Sequence, residues 1–261
     1  MNELIVEMEK REFVSTGIEK LDTLLGGGLQ KGFTTAISSV PGTNIEVISK
    51  QFATTDDPLF ITTNETTDEI IAAMKEFSWD TSNITFEDIA QKNLDKILRG
   101  ESKRVSIHQQ RSRTMIKDLI KAGSEGLPPM SHEQEDYLAV LSNILRLNAS
   151  KKIIINSLDF FFENYELHDV LRTLKAGKVN IIKQKGSLIL FFTRGIHDII
   201  VERQIELLAD CVLELDVIKK GSSFDRILSV KKIRNVARKI GTARYDIDEK
   251  GFTIEEIDRI L

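Results

Sequence analysis

A phosphate-binding loop asks its residues for backbone N–H groups that converge on an anion, a lysine that neutralises it and a hydroxyl that holds magnesium. The stretch Ser38-Ser39-Val40-Pro41-Gly42-Thr43-Asn44-Ile45-Glu46 sits where such a loop belongs. It follows the apolar run Phe33–Ile37 and precedes the helix-like Val47–Phe52. Set against G-x-x-x-x-G-K-[ST], its four defining positions read Ser39, Asn44, Ile45 and Glu46. Isoleucine cannot neutralise a developing phosphate charge. A carboxylate at the next position would repel phosphate oxygens by on the order of a few kcal/mol at an effective dielectric near 20. Lys50, or one of Lys151 and Lys152, is the candidate replacement for the missing charge.

Three further polar stretches follow apolar runs: Thr62–Glu65, Asn156–Asp159 and Thr193–Gly195. If those runs are parallel strands, all of these stretches gather with the loop at the carboxyl ends, where open α/β sheets bind ligands. Asp159 is expected to cap the segment after it. His108, His132, His168 and His197 are scattered without ligand spacing, so no metal site is expected. The single cysteine, Cys211, lies in an apolar run and excludes an internal disulfide, which suits a reducing, cytoplasmic setting.

The elements that must position these residues follow from periodicity and turn signals. Strands are expected at 33–37, 59–63, 84–86, 151–159 (its carboxyl end polar) and 187–194, with helices near 15–25, 43–53, 66–78, 131–148, 165–184 and 199–208. The helix over 131–148 is expected to open with Ser131 as its cap and Gln134 three positions on. The remainder reads as β-structure at 210–217, 224–232, 242–247 and 251–254. Strands alternating with helices imply an α/β fold with a mainly parallel sheet covered on both faces, closed by antiparallel C-terminal strands. Trp79 and Phe160 to Phe162 are read as core or inter-subunit packing.

With 41% hydrophobic and 29% charged residues in 261, the chain is that of an ordinary globular protein, expected as one domain over 1–261 with a variable segment at 90–130. No apolar run reaches the ~20 residues of a membrane span, and MNELIVEMEKRE has no signal-peptide character. The net charge is −4, yet 92–121 holds nine Lys/Arg against three acids and 219–244 nine against one. Such stretches suit nucleic acid, a nucleotide or an acidic subunit. They lack the interleaved aromatics of a stacking platform for single strands.

Segment by segment, the chain resembles the KaiC-like branch of the RecA-type P-loop ATPases over nearly its whole length. Ser15-Thr16-Gly17-Ile18, Leu21-Asp22 and Leu24-Leu25-Gly26-Gly27-Gly28-Leu29 are similar to that family's opening STGIxxLDxLLGGGI. Pro41-Gly42-Thr43 resembles the core of its PPGTGKT loop. Thr62–Thr66 with Phe77-Ser78-Trp79-Asp80 is similar to its T-x-E-E-[ST] and F-G-W-D. Ile153–Leu158 resembles the Walker B strand ending I-D-S-L, Val230–Arg234 the late K-M-R, and Tyr245–Ile247 with Lys250–Phe252 the closing F-x-I-x-x-x-G.

The resemblance implies a RecA-like three-layer fold with an altered site. Ile45 stands at the phosphate lysine, Glu46 at the magnesium hydroxyl, Asn64 at the first catalytic glutamate and Asn156 at the Walker B aspartate, while Glu65 is retained. Pro41, Gly42, Thr43 and Asn44 form a vestigial phosphate loop, which would seat ATP or ADP only weakly. Lys232 and Arg234 match the element that such rings offer to a neighbour's phosphates, with Arg226, Arg238 and Lys239 adding charge nearby. The implied function is a pseudo-ATPase, a regulatory or assembly subunit in a homo- or hetero-oligomer with KaiC- or RecA-like subunits. The alternatives are a nucleic-acid-binding relative of recombinase paralogues, and a nucleotide sensor or atypical ATPase.

Overall fold

A computed structural model describes residues 12–98, 136–221, 223–235 and 241–258. Strands β1 (Phe13–Val14) and β2 (Leu29–Gln30) pair antiparallel around helix α1 (Glu19–Leu25). Gly26 ends that helix in the left-handed region at φ 87°, returning its N–H to the carbonyls of Asp22 and Thr23. Asp22 also holds the turn before the helix, accepting the Ser15 hydroxyl at 2.6 Å and the Thr16 N–H at 2.8 Å.

Among the described residues the main sheet has nine strands. Its parallel part comprises β3 (Thr34–Ser39), β4 (Leu59–Thr62), β5 (Thr85–Asp88), β6 (Lys152–Ile155), β7 (Ser187–Thr193) and β8 (Cys211–Lys220). Then β9 (Ser223–Ile233), β10 (Thr242–Asp248) and β11 (Gly251–Asp258) extend it antiparallel, giving the order β11-β10-β9-β8-β3-β7-β6-β4-β5. The central strands β3, β4, β6 and β7 are buried almost throughout, as their continuous apolar runs require of strands covered on both faces.

Helices α2 (Ile45–Phe52) and α3 (Thr67–Glu76) lie with α1 on one face, over a core that includes Ile37, Phe52, Phe60, Met74 and Phe191. The other face is covered by α4 (Tyr137–Leu147), α5 (Asp159–Asn164), α6 (Leu167–Gln184) and α7 (Ile199–Leu208), over Leu141, Phe161, Leu174, Leu190 and Ile205. Each fully buried side chain of this kind contributes about 1.5–3 kcal/mol. Among the described residues, no helix is long and apolar enough to cross a membrane.

Local signals explain most boundaries. α3 opens on a capping box in which Glu69 N–H meets the Thr66 hydroxyl and the Glu69 carboxylate accepts the Thr66 N–H at 2.7 Å. α4 starts later than expected: its cap is Asp136, which accepts from the N–H groups of Leu138 and Ala139. Ser131 and Gln134 lie outside the described residues. Of the variable segment expected over 90–130, residues 89–98 form a helix and the rest lies outside the described residues.

The outer rim of β11 folds back onto the helices of the first face. Gln51 in α2 accepts the Phe252 N–H at 2.7 Å and donates to the Phe252 carbonyl at 3.4 Å. Lys20 in α1 donates to the Ile254 carbonyl at 2.6 Å. Trp79 donates its indole N–H to the Lys250 carbonyl at 3.2 Å.

Candidate functional site

The loop between β3 and α2 carries Pro41, Gly42, Thr43 and Asn44 at the carboxyl end of the strand. Ser38 and Ser39 belong to the strand rather than to the loop. Val40 N–H still reaches the Leu215 carbonyl of β8 at 3.3 Å. Gly42 turns at φ 92°, and Asn44 takes a left-handed conformation at φ 57° just before the helix. The buried Thr43 donates its hydroxyl to the Val40 carbonyl at 2.8 Å.

Two side chains of the C-terminal strands grip this loop from behind. The Tyr245 hydroxyl donates to the Thr43 carbonyl at 2.9 Å, and burial pushes its phenol up, keeping it a neutral donor. Arg226 reaches the Gly42 carbonyl with Nε at 3.4 Å while its guanidinium pairs with Asp246 at 2.9 Å. Ile45 opens α2 with its side chain packed on the core, and Glu46 is exposed beside it. The position after the loop therefore presents no cation.

None of the three lysines considered as a replacement supplies one. Lys50, one turn into α2, has a side chain only 3% exposed, and its ammonium lies 2.8 Å from both oxygens of Glu65. A third contact, at 3.4 Å, goes to the Glu46 carbonyl. Lys152 heads β6 at the opposite, amino end of the sheet. There its ammonium donates to the carbonyls of Ser15 at 2.6 Å and Thr55 at 3.3 Å, and to the Thr55 hydroxyl at 2.9 Å. Lys151 is exposed at that same end.

At the ends of β4 and β6 the two asparagines meet. The Asn156 amide donates to Asn64 Oδ1 at 2.6 Å and to the Thr62 hydroxyl at 3.2 Å. Its carbonyl oxygen accepts from the Thr63 N–H at 3.0 Å and the Thr63 hydroxyl at 3.2 Å. Asn156 is buried and fully engaged, so this junction is a neutral, self-satisfied network.

The sequence reading missed a second pair on the same edge. Asp159, expected to cap the segment after it, instead turns across to β7. It accepts the Thr193 N–H at 3.1 Å and meets His197 Nε2 at 3.0 Å. The His197 ring stands edge-on to Phe162. The available signal was topological: Asp159 and His197 each follow one of two adjacent parallel strands, β6 and β7. Nearby, Arg194 bridges Glu214 and Asp216 of β8. Burial works to raise the Glu214 carboxyl, but hydrogen bonds from Arg194 and Lys231 outweigh it and hold it below its ordinary value. Glu65, Asp159, Glu214 and Asp216 are thus each turned to a cationic or imidazole partner rather than outward to a ligand.

Lys232 and Arg234 stand far from this edge, because Lys232 pairs with Val212 near the amino end of β8. The Lys232 ammonium closes the end of α7, donating to the carbonyls of Glu206 at 3.0 Å and Ala209 at 2.6 Å. Arg234 is 57% exposed and held at 3.1 Å by the buried Asp210, which Lys178 also contacts at 2.7 Å. Among the described residues of the basic 219–244 stretch, Arg226 pairs with Asp246, Lys231 with Glu206 and Glu214, and Arg244 with Asp225. Arg238 and Lys239 lie outside the described residues. Among the described residues no cluster of His, Cys, Asp or Glu could hold a metal ion.

Residues 14–259 match the family model described as the KaiC ATPase. The chain belongs to the KaiC family of ATPases. It is 20% identical over 253 residues to circadian clock protein KaiC2 of Synechocystis, and 24% identical over 254 residues to the circadian clock oscillator protein KaiC of Synechococcus elongatus. It covers only 40% and 43% of those two proteins, against 94% and 92% of itself. A UPF0273 protein of Pyrococcus furiosus is 20% identical over 95% of both chains. Among solved structures, a KaiC-like protein of Pyrococcus horikoshii superposes with a TM-score of 0.65 at 18% identity, over 95% of this chain and all of that one. The KaiC fold is therefore present from the opening segment to the closing strands.

Proposed function

We propose that this KaiC-family chain is a pseudo-ATPase whose nucleotide site has become a structural joint, and that it serves as a regulatory or assembly subunit alongside other KaiC-like chains. The Asn64–Asn156 contact carries this reading. In the family's motifs one carboxylate orders magnesium and another activates the attacking water. Both corresponding positions hold amides that are bonded to each other. Ile45 packed on the core and Lys50 tied to Glu65 remove the charge that would meet the phosphates.

The direct test is an ATPase assay of the purified chain with magnesium. The expected result is no turnover above a protein-free control; turnover on the scale of an intact relative overturns the reading.

In the same proposal, the surface around Arg234 faces a neighbouring subunit. Exposure favours Arg234 for that part over Lys232, whose ammonium already closes α7. Mixing the chain with an intact KaiC-like protein from its source should raise that protein's ATPase rate. Arg234→Ala should abolish the rise, while Lys232→Ala should act mainly through stability. ATP and ADP are expected to bind weakly if at all, measured by calorimetry. Among the described residues of 219–244, Arg226, Lys231 and Arg244 are each paired with acids, and a gel-shift without salt-sensitive affinity for DNA or RNA would remove the nucleic-acid alternative.

A further inference from the structure

The family's chemistry implies a magnesium ion at the nucleotide, held by a hydroxyl in the first turn after the loop and by an aspartate at the end of a neighbouring strand. Magnesium demands near-octahedral oxygen ligands, usually with a carboxylate among them. The residues present do not fit it. The first position is Glu46, an exposed carboxylate with no hydroxyl to offer, and the second is Asn156. The Asn156 carbonyl oxygen accepts the Thr63 N–H, and its amide N–H groups are directed at Asn64 and Thr62. The remaining carboxylate, Glu65, has both oxygens on one ammonium.

That ammonium is a buried positive charge just behind the loop. Lys50 Nζ joins the first turn of α2, through the Glu46 carbonyl, to the segment after β4, through Glu65. It is nearly sealed from water, so the contact is weakly screened by salt. The distances of 2.8 Å are those of strong charge-assisted hydrogen bonds.

We propose that Lys50 is a built-in cation that takes over the bracing role of a divalent metal, so that the loop, α2 and the β4–α3 connection keep their arrangement without metal or nucleotide. The proposal rests on the pseudo-ATPase reading and adds to it a cofactor property: the site is magnesium-independent. Any anion that docks on the loop does so on backbone N–H groups, with no bridging metal.

Thermal unfolding of the full chain tests this, in EDTA or in excess magnesium chloride, each without nucleotide, with ATP and with ADP. For the wild type the midpoint should be the same in EDTA and in magnesium under all three conditions. Lys50→Met should lower it by several degrees, because Glu65 loses its buried partner. Lys50→Met combined with Glu65→Leu should recover much of that loss, a coupling that separates the pair from general packing. Should Lys50→Met not fold, Glu65→Gln supplies the milder cut and should lower the midpoint in the same sense. A magnesium-dependent rise for the wild type, or wild-type stability in both single variants, overturns the proposal. ATP turnover by the wild type would overturn the functional reading itself. A magnesium effect without turnover would remove only the built-in cation.

Discussion

Where β4 and β6 end, one asparagine donates and the other accepts, and the two positions are not interchangeable. Asn156 directs its amide at Asn64 Oδ1 and Thr62, so Asn156→Asp would set an acceptor against an acceptor in a buried place. Urea unfolding should register a loss of about 1–3 kcal/mol, and the carboxylate should bring no ATPase activity with it. Asn64→Asp keeps the accepting oxygen at an exposed position and should stay within about 0.5 kcal/mol of the wild type. Lys152 carries a pH signature. Burial is the main cause that pushes its pKa down from 10.5 to about 8, against the opposing pull of Asp56 and Asp22. Between pH ~8 and ~10.5 the unfolded chain then binds more protons than the folded one, so stability attributable to Lys152 rises with pH across that window and the full burial cost of ~3 kcal/mol stands below it. Measured against Lys152→Met, the wild type should gain in relative stability from pH 7.5 to pH 10. The altered loop, Asn64 and Asn156 were legible in the sequence because a motif fixes their spacing. Lys50–Glu65 and Asp159–His197 were not, since each pair is made across elements and only strand order brings the partners together.

At the scale of elements, apolar runs and turn residues placed the strands and most helices within a few residues, and the order of helix and strand gave the parallel sheet. The failures share a cause. β1 and β2 have two residues each, too few to show a period, and exist because Phe13 lies opposite Gln30 and Val14 opposite Leu29. The helix at 89–98 leaves Leu94, Ile97 and Leu98 substantially exposed, so its pattern lacks the buried stripe that marks a packed helix. α5 is a six-residue helix, half of it phenylalanine, whose expected packing, not its helicity, was readable: Phe160 and Phe161 are buried. The closing hairpin between β10 and β11 makes the sharpest prediction here. Gly251 sits at φ 109°, and a Cβ there would stand 2.3 Å from the Trp79 ring and 2.7 Å from Gln51 Oε1. Gly251→Ala should therefore destabilise by about 3 kcal/mol or more, combining backbone strain with a clash against the indole. In a thermal scan that is a fall of about 6 °C or more.

For the whole molecule, the KaiC fold is present across the described residues, and several charged side chains at the carboxyl ends of its strands pair with one another. The C-terminal strands contribute through Tyr245 and Arg226, which hold the loop's carbonyls, and through Arg194's bridge to β8. The rims of the sheet add a separate consequence. A nine-stranded sheet offers two open ladders to any chain able to add a strand. One of them, along β11, is occupied by the side chains of Gln51 and Lys20 acting as surrogate backbone partners. The other, β5, is four residues long and ends in Glu87 and Asp88. The molecule thereby gains protection against sheet-to-sheet polymerisation that its buried strands, rich in Ile, Leu and Phe, would otherwise favour once a rim came free. Replacing Gln51 and Lys20 together by Leu should leave a native-like circular dichroism spectrum in dilute solution. Concentrating that variant should produce light scattering and thioflavin binding that the wild type does not show, making these two polar side chains guardians of solubility as much as of the fold.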